Sequence, residues 1–217
     1  IPSGRIPGRW GLYIAIFWSV LSLAVAAMLG TWVLTAAALG LVLAWAYSMP
    51  PVRLKQNGWW GNAACAVSYE GLAWITGAAV MLGGALPEWR ILLLAALYSA
   101  GAHGIMTLND FKSVDGDRRM GVGSLPVRLG VDNAARVACV VMALPQVAVI
   151  GLLLDWGRPV QAVAVATLLI AQCVMMVRFL RDPRRHATWY SGFGIPLYVA
   201  GMMVSAFAVR ALLGEAG

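Results

Sequence analysis

The sequence has 217 residues, of which 61% are hydrophobic and only 12% are charged, and its formal net charge is +7. Soluble domains are about 45–50% apolar and about 25% charged, so this composition excludes an ordinary soluble enzyme and a disordered chain. The basic excess does not indicate nucleic-acid binding, because such proteins display it on a polar face that this composition hardly provides. The composition therefore predicts an integral membrane protein.

Seven segments are apolar and long enough to cross a bilayer as helices, which takes about 20 residues each. In chain order they are approximately Leu12–Leu29, Trp32–Tyr47, Asn62–Leu82, Ile91–Leu108, Ala134–Leu154, Val160–Phe179 and Ser191–Leu213. The first two are joined only by Gly30 and Thr31, which predicts a tight antiparallel pair. We expect an all-α, polytopic transmembrane helical bundle that forms a single domain over residues 1–217.

The distribution of Lys and Arg orients this bundle, because short cytoplasmic loops of membrane proteins are enriched in these residues. One side holds Arg5, Arg9, Arg53, Lys55, Lys112, Arg118, Arg119, Arg128, Arg136, Arg178, Arg181, Arg184 and Arg185, and the other side holds Arg90, Arg158 and Arg210. We therefore expect the N-terminus and the loops 50–58, 109–133 and 180–189 in the cytoplasm.

The loop after the second span contains a proline pair and two bases. Pro50 and Pro51 end the span, and Arg53 and Lys55 follow them. Because proline restricts the backbone, the pair is expected to hold both bases near the mouth of the bundle. Two interpretations remain open: the bases bind a phosphate, or they only anchor the loop on the positive side of the membrane.

The segment after the fourth span is the richest in charge. It holds the carboxylates Asp110, Asp115 and Asp117 and the bases Lys112, Arg118 and Arg119. On a continued helix Asp110 and Asp117 share one face, two turns apart, whereas Asp115 joins them only if the helix loosens near Gly116.

Such a mixture of acids and bases is suited to a diphosphate. Mg²⁺ prefers oxygen ligands and commonly takes one or two carboxylates together with water and phosphate oxygens, while Arg and Lys bind the remaining phosphate charge. At the edge of an apolar bundle this predicts a site for an amphiphile with a diphosphate head and a hydrocarbon tail. The alternative is an ordinary solvated loop with local ion pairs.

Several motifs resemble one family of membrane enzymes. The run Tyr47–Lys55, followed by Asn109-Asp110 and Asp117, resembles the UbiA-type superfamily of intramembrane prenyltransferases. The run Lys55–Asn62, with Ser68–Gly71 and Asn109–Ser113, is similar to the chlorophyll synthase branch of that superfamily, and within it to the bacteriochlorophyll synthases. The first residues, Ile1–Arg5, match the segment that follows that family's first aspartate-rich motif, which these 217 residues do not include.

The resemblance implies a fold of nine spans, of which seven are present here, in a bacterial inner membrane. It implies transfer of a phytyl or geranylgeranyl group from its diphosphate to the propionate carboxyl of bacteriochlorophyllide, with Mg²⁺ as cofactor. Pigment-biosynthesis or photosystem-assembly proteins are possible partners, and nucleic acid is not one. We expect the 217 residues alone to be inactive. The alternatives are a UbiA-type enzyme with another aromatic acceptor and a non-catalytic transport or assembly protein.

The resemblance also assigns roles to the charged residues of the two loops. Asp110 and Asp117 become catalytic residues, and Asp110, Asp115 and Asp117 become metal ligands. The substrate-binding residues it implies are Asn109, Lys112, Arg118, Arg53 and Lys55.

A glutamate and a histidine, Glu70 and His103, fall inside predicted spans, where ionisable groups usually line a cavity rather than face lipid. For His103, two interpretations are open: contact with the magnesium or propionate of the acceptor, or an interhelical hydrogen bond. Glu70 poses the same choice.

Overall fold

The structure, a computed structural model, describes residues 8–215, so the match of Ile1–Arg5 lies outside the described residues. Helices make up nearly all of it: α1 (Gly8–Leu29), α2 (Thr31–Ser48), α3 (Gly58–Met81), α4 (Trp89–Asp110), α5 (Val114–Arg119), α6 (Leu125–Leu129), α7 (Val131–Asp155), α8 (Pro159–Arg181) and α9 (Pro183–Glu215). A short 3₁₀ turn, Leu54–Gln56, lies between α2 and α3.

Seven of these helices, all except α5 and α6, are long and apolar enough to cross a membrane. They correspond to the seven spans predicted from the sequence, so the all-α multi-pass fold is confirmed. The turn between α1 and α2 is a single residue, Gly30, as the tight antiparallel pair requires.

Helix α4 forms the centre of the bundle and packs against α3, α7 and α9. Within its most apolar window 56% of the residues are buried, compared with 6% in α1. Small residues allow the close packing. At Gly104, for example, a Cβ atom would lie 2.5 Å from the carbonyl oxygen of Ala138 on α7.

Buried polar side chains tie the central helices together. The hydroxyls of Tyr98 on α4 and Ser205 on α9 are 2.8 Å apart, and the Tyr198 hydroxyl donates to the backbone oxygen of Tyr98 over 2.6 Å. Gln146 and Gln172 exchange two side-chain hydrogen bonds between α7 and α8. Such bonds stabilise helix pairs where water is absent.

Two of the expected cytoplasmic loops are largely helical. The segment 180–189 contains only one non-helical residue, Asp182, because this side chain accepts a hydrogen bond from the backbone N–H of Arg185 and Pro183 opens α9. The expectation of a loop there is wrong. The segment 109–133 contains α5 and α6, and a turn at residues 111–113 replaces the continued helix considered after α4.

Candidate functional site

A polar cavity of 520 Å³ lies where the ends of α2, α3 and α4 meet α5. Its polar wall includes Tyr47, Arg53, Lys55, Asn62, Asp110 and Asp117. The cavity therefore brings together residues from both loops that the sequence singled out, although the loops are separated by more than 50 residues. We call it the polar pocket.

The backbone on both sides of the polar pocket is joined by hydrogen bonds. The N–H of Gly58 donates to the oxygen of Gly123 over 2.8 Å, and the N–H of Gly123 donates to the oxygen of Gln56 over 2.9 Å. A Cβ atom at position 58 would lie 2.5 Å from the backbone nitrogen of Leu125. Only glycine fits this approach, so Gly58 sets the distance between the two loops.

The first turn of α3 is fixed by Asn57, whose side chain accepts hydrogen bonds from the backbone N–H groups of Trp59 and Trp60. This is an N-terminal cap, a role that asparagine fills well. The cap places Asn62, one turn further on, in the wall of the polar pocket.

Asp110 is the last residue of α4 and reaches into the polar pocket. The side-chain NH₂ of Asn62 donates to its Oδ2 over 3.1 Å, and the backbone N–H of Leu125 also bonds to its carboxylate. The same Asn62 nitrogen is 3.2 Å from the Thr107 hydroxyl, which in turn donates to the backbone oxygen of His103. These contacts fix the orientation of the carboxylate.

Asp117, on α5, faces the same pocket and is only 8% exposed. The Ser113 hydroxyl donates to its Oδ2 over 2.8 Å. Asp110 and Asp117 lie close enough to repel each other electrostatically. A divalent cation between them would relieve this repulsion.

Asp115 points the other way. Its carboxylate is exposed and pairs with the guanidinium of Arg184 on α9, at 3.1 and 3.3 Å. The Arg184 guanidinium lowers the pKa of the Asp115 carboxyl below its usual value. The turn at residues 111–113 rotates α5 so that Asp117, and not Asp115, accompanies Asp110.

The bases also divide into two groups. Arg53 and Lys55 lie in the wall of the polar pocket, and Arg53 adopts a left-handed backbone conformation with φ 41°. A non-glycine residue is strained there, and such strain clusters at functional sites. The other substrate-binding residues implied by the resemblance, Lys112, Arg118 and Asn109, are exposed and lie outside the pocket wall.

Among the residues of the polar pocket that were not singled out as site residues from the sequence are Tyr47, Asn62 and Ser113. Tyr47 and Asn62 lie inside the motifs that carry the family resemblance, so those motifs could have identified them as candidate site residues. The spacing of Asn62 and Asp110, 48 residues apart, gave no indication of their contact. Ser113 could be found only once the turn that precedes α5 was known.

The donor set of the pocket fits Mg²⁺. Within residues 8–215 no group of three or more His, Cys, Asp or Glu could hold a metal ion, so the described part of the chain offers the pair Asp110 and Asp117. One or two carboxylates are what Mg²⁺ commonly takes from a protein when substrate phosphates supply the other ligands. The neighbouring Arg53 and Lys55 suit the remaining phosphate charge.

An apolar cleft of 520 Å³ adjoins the polar pocket and shares Tyr47 with it. It lies between α1, α2 and α3, and its wall includes Leu41, Leu43, Cys65 and Tyr69. The polar pocket and this cleft together match a ligand with a charged head and a hydrocarbon tail.

His103 lies outside this arrangement. Its Nε2 is 3.1 Å from the backbone oxygen of Trp59, and the two rings stack with centroids 5.6 Å apart. It lines a separate apolar groove of 750 Å³ with Trp60 and Ala100. The structure thus supports the interhelical hydrogen bond for His103.

Comparison with known proteins finds several relatives that are bacteriochlorophyll synthase chains. A bacteriochlorophyll synthase 33 kDa chain from Cereibacter sphaeroides is 58% identical over 98% of this chain and 70% of the relative. The 33 kDa chain from Rhodobacter capsulatus is 53% identical over 97% of this chain and 70% of the relative. A bacteriochlorophyll synthase 34 kDa chain from Chloroflexus aurantiacus is 46% identical over 97% of this chain and 67% of the relative.

The fold has a counterpart among solved structures. A structure of digeranylgeranylglyceryl phosphate synthase is 18% identical, has a TM-score of 0.73, and covers 97% of this chain and 73% of that one. At this identity the likeness shows a shared fold. The profile of the UbiA prenyltransferase family matches residues 1–209. The chain therefore belongs to the UbiA prenyltransferase family.

Proposed function

We propose that this chain is the prenyl-transferring part of a bacteriochlorophyll synthase. The enzyme would transfer a phytyl or geranylgeranyl group from its diphosphate to the propionate carboxyl of bacteriochlorophyllide, which is bound from the bilayer. The observation that carries the proposal is the polar pocket, with two carboxylates and two bases, beside an apolar cleft. The identity of 46–58% to three bacteriochlorophyll synthase chains supports the choice of acceptor.

In the proposed site, Asp110 and Asp117 would hold Mg²⁺, which when bound would neutralise charge on the diphosphate. Arg53 and Lys55 bind the phosphate oxygens and stabilise the negative charge that develops as the diphosphate departs. Asn62 keeps the Asp110 carboxylate in place through its 3.1 Å hydrogen bond. Asp115, Lys112, Arg118 and Asn109 have no part in this assignment, because they lie outside the pocket wall.

The reaction breaks the bond between the allylic C1 carbon and its oxygen, and the electron pair leaves with the diphosphate. The ionised propionate then donates a pair to C1, which forms the ester without a proton transfer. The cation-like allylic group needs protection from water, and the apolar wall of the adjoining cleft provides it. Tyr47 stands at the junction of pocket and cleft.

Residues 1–217 form one transmembrane prenyltransferase domain in the bacterial cytoplasmic or intracytoplasmic photosynthetic membrane. The polar pocket opens to the cytoplasm, since the basic loops that surround it follow the positive-inside rule. Pigment-biosynthesis or photosystem-assembly proteins would collect the product there.

The test is ester formation by the full-length protein in membranes. Bacteriochlorophyllide is supplied with phytyl or geranylgeranyl diphosphate, and the esterified pigment is measured by chromatography. We expect product only with Mg²⁺ present and none after chelation with EDTA. Absence of ester with both donors, in a preparation whose fold is verified by circular dichroism, would refute the proposal.

A further inference from the structure

Glu70 is a carboxylic acid in the middle of a membrane-spanning helix that the proposed reaction does not use. It lies in a π-helical segment of α3, Val67–Leu72. Such segments are rare and are often found at functional sites, because the wider turn redirects side chains. Eight residues separate Glu70 from Asn62, which places it about 12 Å from the polar pocket along the helix.

The Glu70 side chain lies in the wall of a cavity of 280 Å³ between α3 and α9. The surrounding side chains are Tyr69, Trp74, Met202 and Met203. Within the described part of the chain Glu70 has no hydrogen bond and no basic partner. The nearby Tyr198 hydroxyl is already used by the backbone oxygen of Tyr98. A carboxyl group in an apolar membrane cavity is costly, which indicates a ligand-binding role.

The cavity at Glu70 shares wall residues, through the apolar cleft, with the proposed active site. Tyr69 lines both this cavity and the apolar cleft, and Tyr47 lines both the cleft and the polar pocket. Helix α3 therefore contributes in succession to the walls of the polar pocket, the cleft and the Glu70 cavity. A large substrate that reacts at the polar pocket would extend towards this carboxyl group.

Of the two substrates, only the acceptor has a group, beyond the reaction centre, that a carboxylate could bind. The donor beyond its diphosphate is a hydrocarbon, whereas bacteriochlorophyllide is a flat apolar ring with a magnesium ion at its centre. Mg²⁺ is a hard cation that binds carboxylate oxygen. His103, which also lies inside a span, is bonded to Trp59 and faces the separate groove.

We propose that Glu70 binds the acceptor by ligating its central magnesium ion from one side of the ring, with Trp74 and Met202 against the ring edge. This inference rests on the proposed function and names the residue that positions the acceptor. The carboxylate holds the macrocycle so that its propionate reaches C1 of the donor at the polar pocket.

The experiment compares a magnesium acceptor with its metal-free analogue, in full-length protein without donor. Binding is followed by the absorption bands of the ring, which shift when the metal gains an axial ligand. We expect the unaltered protein to bind the magnesium form at least about tenfold more tightly than the metal-free form. In Glu70→Leu, which has no oxygen donor, this preference and the band shift should disappear, while the KM for the diphosphate donor stays within about twofold.

A second variant separates ligation from packing. Glu70→His supplies a different metal ligand and should restore the band shift and the preference, whereas Glu70→Ala should not. The inference is overturned if Glu70→Leu keeps the preference, or if the unaltered protein binds both forms equally. Failure of the unaltered protein to form any ester refutes the proposed function instead, so the two failures are distinguishable.

Discussion

The two faces of α5 differ although they are built from the same short acidic and basic segment. Asp117 faces inward, is nearly buried and shares a pocket with Asp110. Asp115, two residues earlier, faces outward and pairs with Arg184. The segment thus contributes both to a pocket wall and to an ordinary solvated surface. Charge density in the sequence indicated this region, but the direction of each side chain decides which carboxylates line the pocket.

The sharpest test of this comparison is Asp110→Asn against Asp115→Asn. Asp110→Asn removes a charge from the polar pocket while preserving side-chain shape, so we expect turnover to fall at least about 100-fold. Asp117→Asn should behave in the same way. Asp115→Asn is the matched control and should stay within about twofold of the unaltered protein. Initial rates of ester formation measure all three, and equal losses at Asp110 and Asp115 would refute the division.

The bases provide a second test of the same division. Arg53→Ala and Lys55→Ala should each raise the KM for the isoprenoid diphosphate about tenfold, because each removes a charge-assisted contact to phosphate. Lys112 and Arg118 lie outside the pocket, so Lys112→Ala and Arg118→Ala should change this KM little. Steady-state kinetics with varied donor concentration distinguishes the pairs. An increase in KM with Lys112→Ala as large as that with Arg53→Ala would show that Lys112 binds the diphosphate and would contradict the division.

Gly58→Ala tests how the two loops are held together. The added Cβ would lie 2.5 Å from the backbone nitrogen of Leu125, so the backbone must shift and Asn62 and Asp110 would separate. We expect a loss of activity of about tenfold with the helix content unchanged. Circular dichroism and rate measurement together check this. Gly116→Ala, at which a Cβ meets no atom within 4 Å, is the matched control.

The smallest expected effect concerns stability at the outer face. The pKa of Asp115 is lowered by Arg184, so this pair stabilises the fold at pH values above the ordinary aspartate pKa. The stabilisation is lost as the pH falls through the lowered pKa. Asp115→Asn should therefore reduce Tm slightly at neutral pH in low salt, with the difference disappearing in acid or at high salt. A difference that persists in acid would contradict this account.

Much of the fold was predictable from the sequence, because spans are set by local composition. The seven helices lie within a few residues of their predicted positions, except where Asp182 starts α9 about eight residues early. The shared pocket of Asp110 and Asp117 was expected on a continued helix, and it is present although the helix is broken. The direction of Asp115 was not predictable, since it depends on the turn at residues 111–113.

Contacts between distant parts of the chain were also beyond the sequence. One such contact is the hydrogen bond between Asn62 and Asp110, which requires the packing of α3 on α4. Another is the backbone hydrogen bond between Gly58 and Gly123. Nothing in the local pattern of either segment indicates its partner. The same holds for the π-helical segment at Glu70, which no residue type in Val67–Leu72 specifies.

The backbone hydrogen bonds that join Gln56, Gly58 and Gly123 have a thermodynamic consequence. They join the segment that carries Arg53 and Lys55 to the segment that follows Asp117. We therefore expect occupation of one half of the proposed site to alter the free energy of occupying the other half. By linkage, the dissociation constants for the proposed divalent ion and the proposed diphosphate would then depend on each other by the same factor.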